Sequence, residues 1–257
     1  MTTTLQRWIW PMVLLAMFLV IWEIAVVLTD TPTWMLPRPT DIYTAFREDY
    51  ALLWRHTQVT LIEVVIGFGI ALLAGVAIGI AIDSSPVLER ALYPLIIASQ
   101  TIPMVVLAPL LLIWFGYGLA PKIIVAALIA FFPITVSTVD GLRATDREVM
   151  AMLRSFGASG WARFRLAKLP AALPSIFSGA RIGVAVCVIA AVFGELVGAS
   201  EGLGYLMQRA ASQFLTARVF AAIFILSFMG VGLFALISML ERILLPWRKY
   251  LSDRPRA

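Results

Sequence analysis

Glu195 stands in an apolar run, Val184 to Val197, with Gly194 before it and Gly198 just after. A carboxyl group at membrane depth is costly, so it marks either a solute path or a bond between helices. Both readings stay open for Glu195, which can line a path or gate, or reach an interface or a neighbouring helix. Glu23 and Glu63 fall near the ends of other apolar runs and are expected at the interface, and Arg181 is expected to snorkel out of its run. Gln100 and Thr101 lie just before Pro103, in a run that also carries Pro94 and Pro109. Proline removes a backbone donor and kinks a helix, and freed carbonyls are tolerated where they face protein or water. Gln100, Thr101 and Pro103 therefore either present polar groups to a cavity or mark a packed kink. On the first of each pair of readings this is chemistry for binding and passing a solute; on the second it is chemistry for joining helices. Catalysis lacks its parts: the chain has one histidine, His56, one cysteine, Cys187, no H-E-x-x-H, no clustered carboxylates and no G-x-x-x-x-G-K-[ST] phosphate loop. No catalytic residue, no metal site and no cofactor bound by this chain are expected.

Composition sets the class of element that must hold these residues. The chain is 61% hydrophobic and 14% charged, with a mean hydropathy of +0.93, against about 45–50% and about 25% in soluble domains. The expectation is an all-α polytopic membrane protein, a single transmembrane domain over residues 1–257. About 20 apolar residues cross the hydrocarbon core. Six segments meet or approach that length, at about 8–28, 59–82, 92–115, 123–139, 176–199 and 219–240. Between the first two, Pro32, Pro37 and Pro39 precede an amphipathic helix expected over Thr40 to Trp54, which either lies on lipid or contacts a partner. A further interfacial helix is expected within Ser200 to Arg218. Gly67, Ala71, Gly75 and Gly79 give a four-residue small-side-chain stripe, suited to close helix packing.

Basic residues orient the spans. One side carries Arg7, Arg90, Arg143, Arg147, Arg154, Arg163, Arg165, Lys168, Arg242, Arg248, Lys249, Arg254 and Arg256; the other carries Arg38, Arg47, Arg55, Lys122, Arg209 and Arg218. Thirteen against six puts both termini and the basic segment 140–175 in the cytoplasm. No nucleic-acid face is implied, because the positive charge is a matter of topology.

That basic segment is too structured to be a mere connector. Thr145 and Glu148 have the spacing of a capping box. Val149, Met152, Leu153 and Phe156 then recur on one helical face. Gly157 ends that helix. A second helix is expected from Ser159 or Gly160 to Lys168, with Trp161 and Phe164 one turn apart and Pro170 as its stop. Such a hairpin serves either as a lipid-surface element or as a docking knob with Phe156, Trp161 and Phe164 as anchors.

The segment resembles the cytoplasmic EAA loop of binding-protein-dependent ATP-binding-cassette importer permeases of the type I fold. The family pattern is Glu-Ala-Ala, three residues, Gly, nine residues, then Ile-x-Leu-Pro. Gly157 takes the glycine and Leu169-Pro170 falls at the required distance; Ala151-Met152-Leu153 replaces Glu-Ala-Ala, and Ala167 replaces the isoleucine. Ser99-Gln100-Thr101-Ile102-Pro103, Ala108-Pro109-Leu110, Trp114-Phe115-Gly116-Tyr117-Gly118 and Phe193-Gly194-Glu195-Leu196-Val197-Gly198-Ala199 are similar to the nitrate/sulfonate/taurine branch. Within it, the first and third of these are most similar to permeases for thiamine pyrimidine precursors or riboflavin.

The resemblance implies a permease subunit in the bacterial inner membrane, working as a homodimer. It implies a cytoplasmic ATP-binding subunit dimer, which holds ATP and Mg and hydrolyses the nucleotide, and an external solute-binding protein. Phe156, Gly157, Ala158, Ser159, Trp161, Phe164, Leu169 and Pro170 are then the coupling residues. Gln100, Thr101, Pro103 and Glu195 become the candidates for the translocation path.

Overall fold

The computed structural model describes residues 2–247, with side chains described for 9–103 and 106–247; Arg248, Lys249, Arg254 and Arg256, and the side chain of Arg7, lie outside that set. The described residues are helical and contain no strand. In order the helices are α1 (Thr2–Leu28), α2 (Pro39–Glu48), α3 (Tyr50–Ser84), α4 (Pro86–Ser99), α5 (Met104–Phe115), α6 (Leu119–Arg143), α7 (Arg147–Ser155), α8 (Gly160–Arg163), α9 (Leu169–Gly198), α10 (Leu203–Ser212) and α11 (Thr216–Leu244), with one π turn, Phe164–Lys168, joining α8 to α9.

Five described helices are long and apolar enough to cross a membrane: Ile9–Leu28, Tyr50–Ser84, Leu119–Arg143, Gly160–Gly198 and Thr216–Leu244. The expected span 92–115 is not one helix. It divides into α4 and α5 around Gln100–Pro103, where turn bonds from Gln100 N to Ile97 O and from Thr101 N to Ala98 O take over. Pro103 has no amide to donate, and it pushes Ile102 away from helical geometry. The amphipathic helix expected over Thr40–Trp54 also divides. α2 stops at Glu48, and Trp54 belongs to α3. The fourth span, expected at 123–139, extends at both ends to Leu119–Arg143.

The chain forms two compact units. The first comprises residues 1–59 and 200–227. Its core gathers Ile42 of α2, Leu53 of α3, Leu203 and Leu206 of α10, and Ala221 and Ala222 of α11, with Trp22, Phe46 and Phe220 packed on it. Polar ties fix its connections. Glu23 accepts from Thr40 N at 3.2 Å and from Thr40 Oγ1 at 2.9 Å, capping the start of α2. The Arg218 fork donates to both oxygens of Asp49, at 2.6 and 2.8 Å. Arg55 pairs with Glu201.

Among the described residues, the second unit comprises 60–199 and 228–247. Here α6 packs along α9, and the glycine stripe of α3 lies against α6. A Cβ on Gly75 would sit 2.9 Å from Ile134 Cγ2, and one on Gly79 would sit 2.7 Å from Thr138 Cβ. Backbones approach this closely only where side chains are absent. Between α9 and α6, a Cβ on Gly179 would lie 2.8 Å from Pro133 O. Arg181 of α9 pairs with Glu241 of α11 at 3.1 Å.

Candidate functional site

The segment after α6 is built from its caps. Asp146, not Thr145, caps α7: its Oδ1 accepts from Glu148 N at 2.8 Å. The Thr145 hydroxyl instead turns back toward α6, donating to Leu142 O at 3.0 Å. At the other end Gly157 adopts φ +76°, and Ala158 N donates to Leu153 O while Gly157 N donates to Arg154 O, both at 2.9 Å. This is a Schellman ending, which a glycine enters without strain. Ser159 then accepts from Ala162 N at 3.2 Å and starts the next helix.

Pro170 does not end that helix. The helix runs without interruption from Gly160 to Gly198. A π turn at Phe164–Lys168, closed by Leu169 N on Phe164 O, widens the backbone just before the proline. The wider turn makes room for a ring that would otherwise meet the preceding carbonyl. Leu169 and Pro170 are therefore half-buried helical residues in the first turn of α9. Lys168 pins this junction by pairing with Asp83 of α3 at 2.6 Å.

The three aromatic candidates part company. Phe164 packs against the core of Leu142, Ala172 and Ile176. Trp161 stacks on Phe164, with ring centroids 5.6 Å apart, and remains 68% exposed. Phe156 is 79% exposed. Met152 and Leu166 are exposed beside them, and Leu166 was not among the residues singled out from sequence. Phe156 and Trp161 thus stand as exposed apolar side chains at two short helices capped by Asp146 and Ser159, with Phe164 as their packed base.

The intramembrane candidates also separate. Gln100, Thr101 and Pro103 are exposed at the break between α4 and α5. The Thr101 hydroxyl donates back to Ala98 O at 2.7 Å. Glu195 is fully buried and accepts from Thr60 Oγ1 at 2.6 Å. Beside it lies Glu63, also fully buried, in an ion pair with Lys122. Thr60 and Glu63 come from α3, Lys122 from α6 and Glu195 from α9, so one polar cluster ties three helices. Glu63 was expected at an interface and Lys122 in a loop. The available clue was that opposite charges in neighbouring apolar runs pair with one another. Cys187 donates to Val64 O at 3.5 Å in the same layer, as a small buried side chain.

Groups of metal ligands are absent among the described residues. The model of the family described as "Binding-protein-dependent transport system inner membrane component" matches residues 67–247. The formylaminopyrimidine transport permease protein ThiX of Halalkalibacterium halodurans is 42% identical over 240 residues, covering 93% of this chain and 96% of that protein. The riboflavin transport system permease protein RibX of Chloroflexus aurantiacus is 39% identical over 250 residues, covering 95% and 93%. A chain of the inward-facing MetNI methionine ABC transporter matches with a TM-score of 0.59 at 21% identity, covering 73% of this chain and 97% of that one. That likeness concerns the fold. The chain therefore belongs to the family of binding-protein-dependent inner-membrane transport components, as a multi-pass permease subunit of an ABC importer.

Proposed function

We propose that this permease carries a small heteroaromatic solute, a formylaminopyrimidine-like thiamine precursor or a riboflavin-like compound, into the cytoplasm. The observation that carries the proposal is the 42% identity to ThiX over 93% of the chain. Two identical copies form the path. An external binding protein delivers the solute, and a separate cytoplasmic ATP-binding subunit pair, holding ATP and Mg, drives the cycle. Both termini lie in the cytoplasm, on the side favoured by the excess of basic residues.

In this scheme the coupling surface is Phe156 and Trp161, set by the Gly157–Ala158 turn, the Ser159 cap and the Phe164 base. Leu169 and Pro170 join that surface to α9. Motion of the ATP-binding pair, biased by nucleotide between two global states, reaches the spans through this junction. Gln100, Thr101 and Pro103 offer polar and backbone groups to the solute at the α4–α5 break. Glu195 supports the path by fixing α9 to α3 through Thr60.

The test is reconstitution of the permease with its ATP-binding and binding-protein partners in proteoliposomes. ATP-dependent uptake of formylaminopyrimidine or riboflavin, saturable and dependent on the binding protein, is the expected result. Uptake of taurine or an alkanesulfonate with neither of these would overturn the choice of solute. Failure of any ATP-binding subunit to co-purify would overturn the coupling scheme itself.

A further inference from the structure

The unit made of residues 1–59 and 200–227 contains a cavity of about 170 Å³ that the transport scheme does not use. Its wall comes from α3, α10 and the start of α11. Polar lining is supplied by His56, Tyr205, Arg209, Gln213 and Arg218, over an apolar floor that includes Leu206. His56 is fixed in this wall by Gly202 N, which donates to its Nδ1 at 2.9 Å.

The charges around the cavity do not cancel. Arg55 is matched by Glu201, and Arg218 by Asp49. Arg209 has no carboxylate partner among the described residues; its Nη1 donates to Tyr205 Oη over a long 3.4 Å. Nor is Arg209 needed to close the end of α10. Gln213 N and Leu215 N serve Ala210 O, Phe214 N serves Ala211 O, and the Ser212 hydroxyl serves the carbonyl of Arg209 itself. An uncommitted guanidinium remains at the mouth of a small cavity, beside a phenol and an amide.

We propose that this cavity is a binding site for a small carboxylate, with Arg209 as its main cation and Gln213, Tyr205 and Arg218 as further donors. A planar guanidinium fork matches a carboxylate at two points. The same wall already displays that chemistry, because Asp49 sits on the Arg218 fork at 2.6 and 2.8 Å. That fork engages Nε and Nη2, and Nη1 lies outside it. The volume suits a carboxylate on a short apolar stem, either a free acid or an aspartate or glutamate side chain from another protein.

The test uses the purified full chain in nanodiscs of zwitterionic lipid, so that anionic lipid does not compete. Thermal unfolding is followed during titration with sodium acetate and, at matched ionic strength, with sodium chloride. Binding to the folded state raises Tm saturably. The expected result is saturable protection by acetate and none by chloride. Arg209→Gln should raise the acetate concentration for half-saturation about tenfold, the loss of one charge-assisted contact; Gln213→Ala should raise it less. A second titration uses a blocked tripeptide containing one aspartate. Protection by that peptide at lower concentration than acetate assigns the site to a protein side chain; protection by acetate alone assigns it to a free acid. Equal behaviour of acetate and chloride, or an unshifted midpoint in Arg209→Gln, overturns the proposal.

Discussion

Lys122 of α6 and Glu63 of α3 form an ion pair in which the two side chains are 6% and 0% exposed. Burying two charges costs several kcal/mol each, and their mutual attraction offsets this only while both are present. Lys122→Met should therefore destabilise the chain by about 3–5 kcal/mol, the usual effect of stranding a buried charge. The double variant Lys122→Met/Glu63→Leu should recover most of that loss. Unfolding in detergent compares the two, and a double variant no more stable than the single would show that the pair is not the source.

Gly157→Val places a β-branched residue at φ +76°, a conformation that costs an L-residue about 1–2 kcal/mol. No atom lies within 4 Å of the added Cβ, so the effect is a matter of turn geometry. ATP hydrolysis should uncouple from uptake in Gly157→Val, while Gly157→Asn should retain much of the coupling because asparagine tolerates this region. Uptake and hydrolysis measured together decide; full coupling in Gly157→Val counts against the docking role.

Phe156→Ser and Trp161→Ala remove exposed apolar surface. Such changes usually alter stability by less than about 0.5 kcal/mol. The double variant should keep its Tm yet lose co-purification with the ATP-binding subunit. Retained co-purification would separate this surface from docking.

Gly179→Val tests helix packing, since a Cβ there would meet Ser137 Cβ at 2.6 Å and Pro133 O at 2.8 Å. A backbone oxygen cannot rotate away as a side chain does. Loss of stability should reach at least about 3 kcal/mol, the upper end for overpacking, read as a fall in Tm and in folded yield.

Glu195→Gln keeps an oxygen to accept from Thr60 but removes charge from the cluster. Uptake should fall while Tm changes by only a few degrees. Unchanged uptake would confine Glu195 to a structural role.

Much of this was legible from local pattern. The stripe of Gly67, Gly75 and Gly79 announced close packing, and Gly157 announced a helix end at the residue where it occurs. Local chemistry also misled where two options lay side by side. Thr145 and Asp146 both suit a cap, and the Thr145 hydroxyl goes backward to Leu142. Pro170 reads as a stop because the π turn that admits it depends on backbone geometry and not on residue type. Pairing of Lys122 with Glu63, 59 positions earlier, depends on how helices align sideways, which one sequence does not display. The exposed apolar face of this segment was half legible for the same reason. Phe164 and Trp161 share a spacing rule, yet only packing on Leu142 and Ile176 separates base from exposed face.

Under the proposed coupling scheme the continuous helix from Gly160 to Gly198 would act as a mechanical lever. Its 39 residues extend about 58 Å at the α-helical rise. Tilting it by about 10° would displace one end relative to the other by about 10 Å, given that length. A flexible joint at Pro170 would absorb such a tilt as slack. The π turn avoids that joint, and the Lys168–Asp83 pair at 2.6 Å would supply a fulcrum near the short arm. In that scheme a small stroke at Trp161 would be geared up into a large one at Gly198.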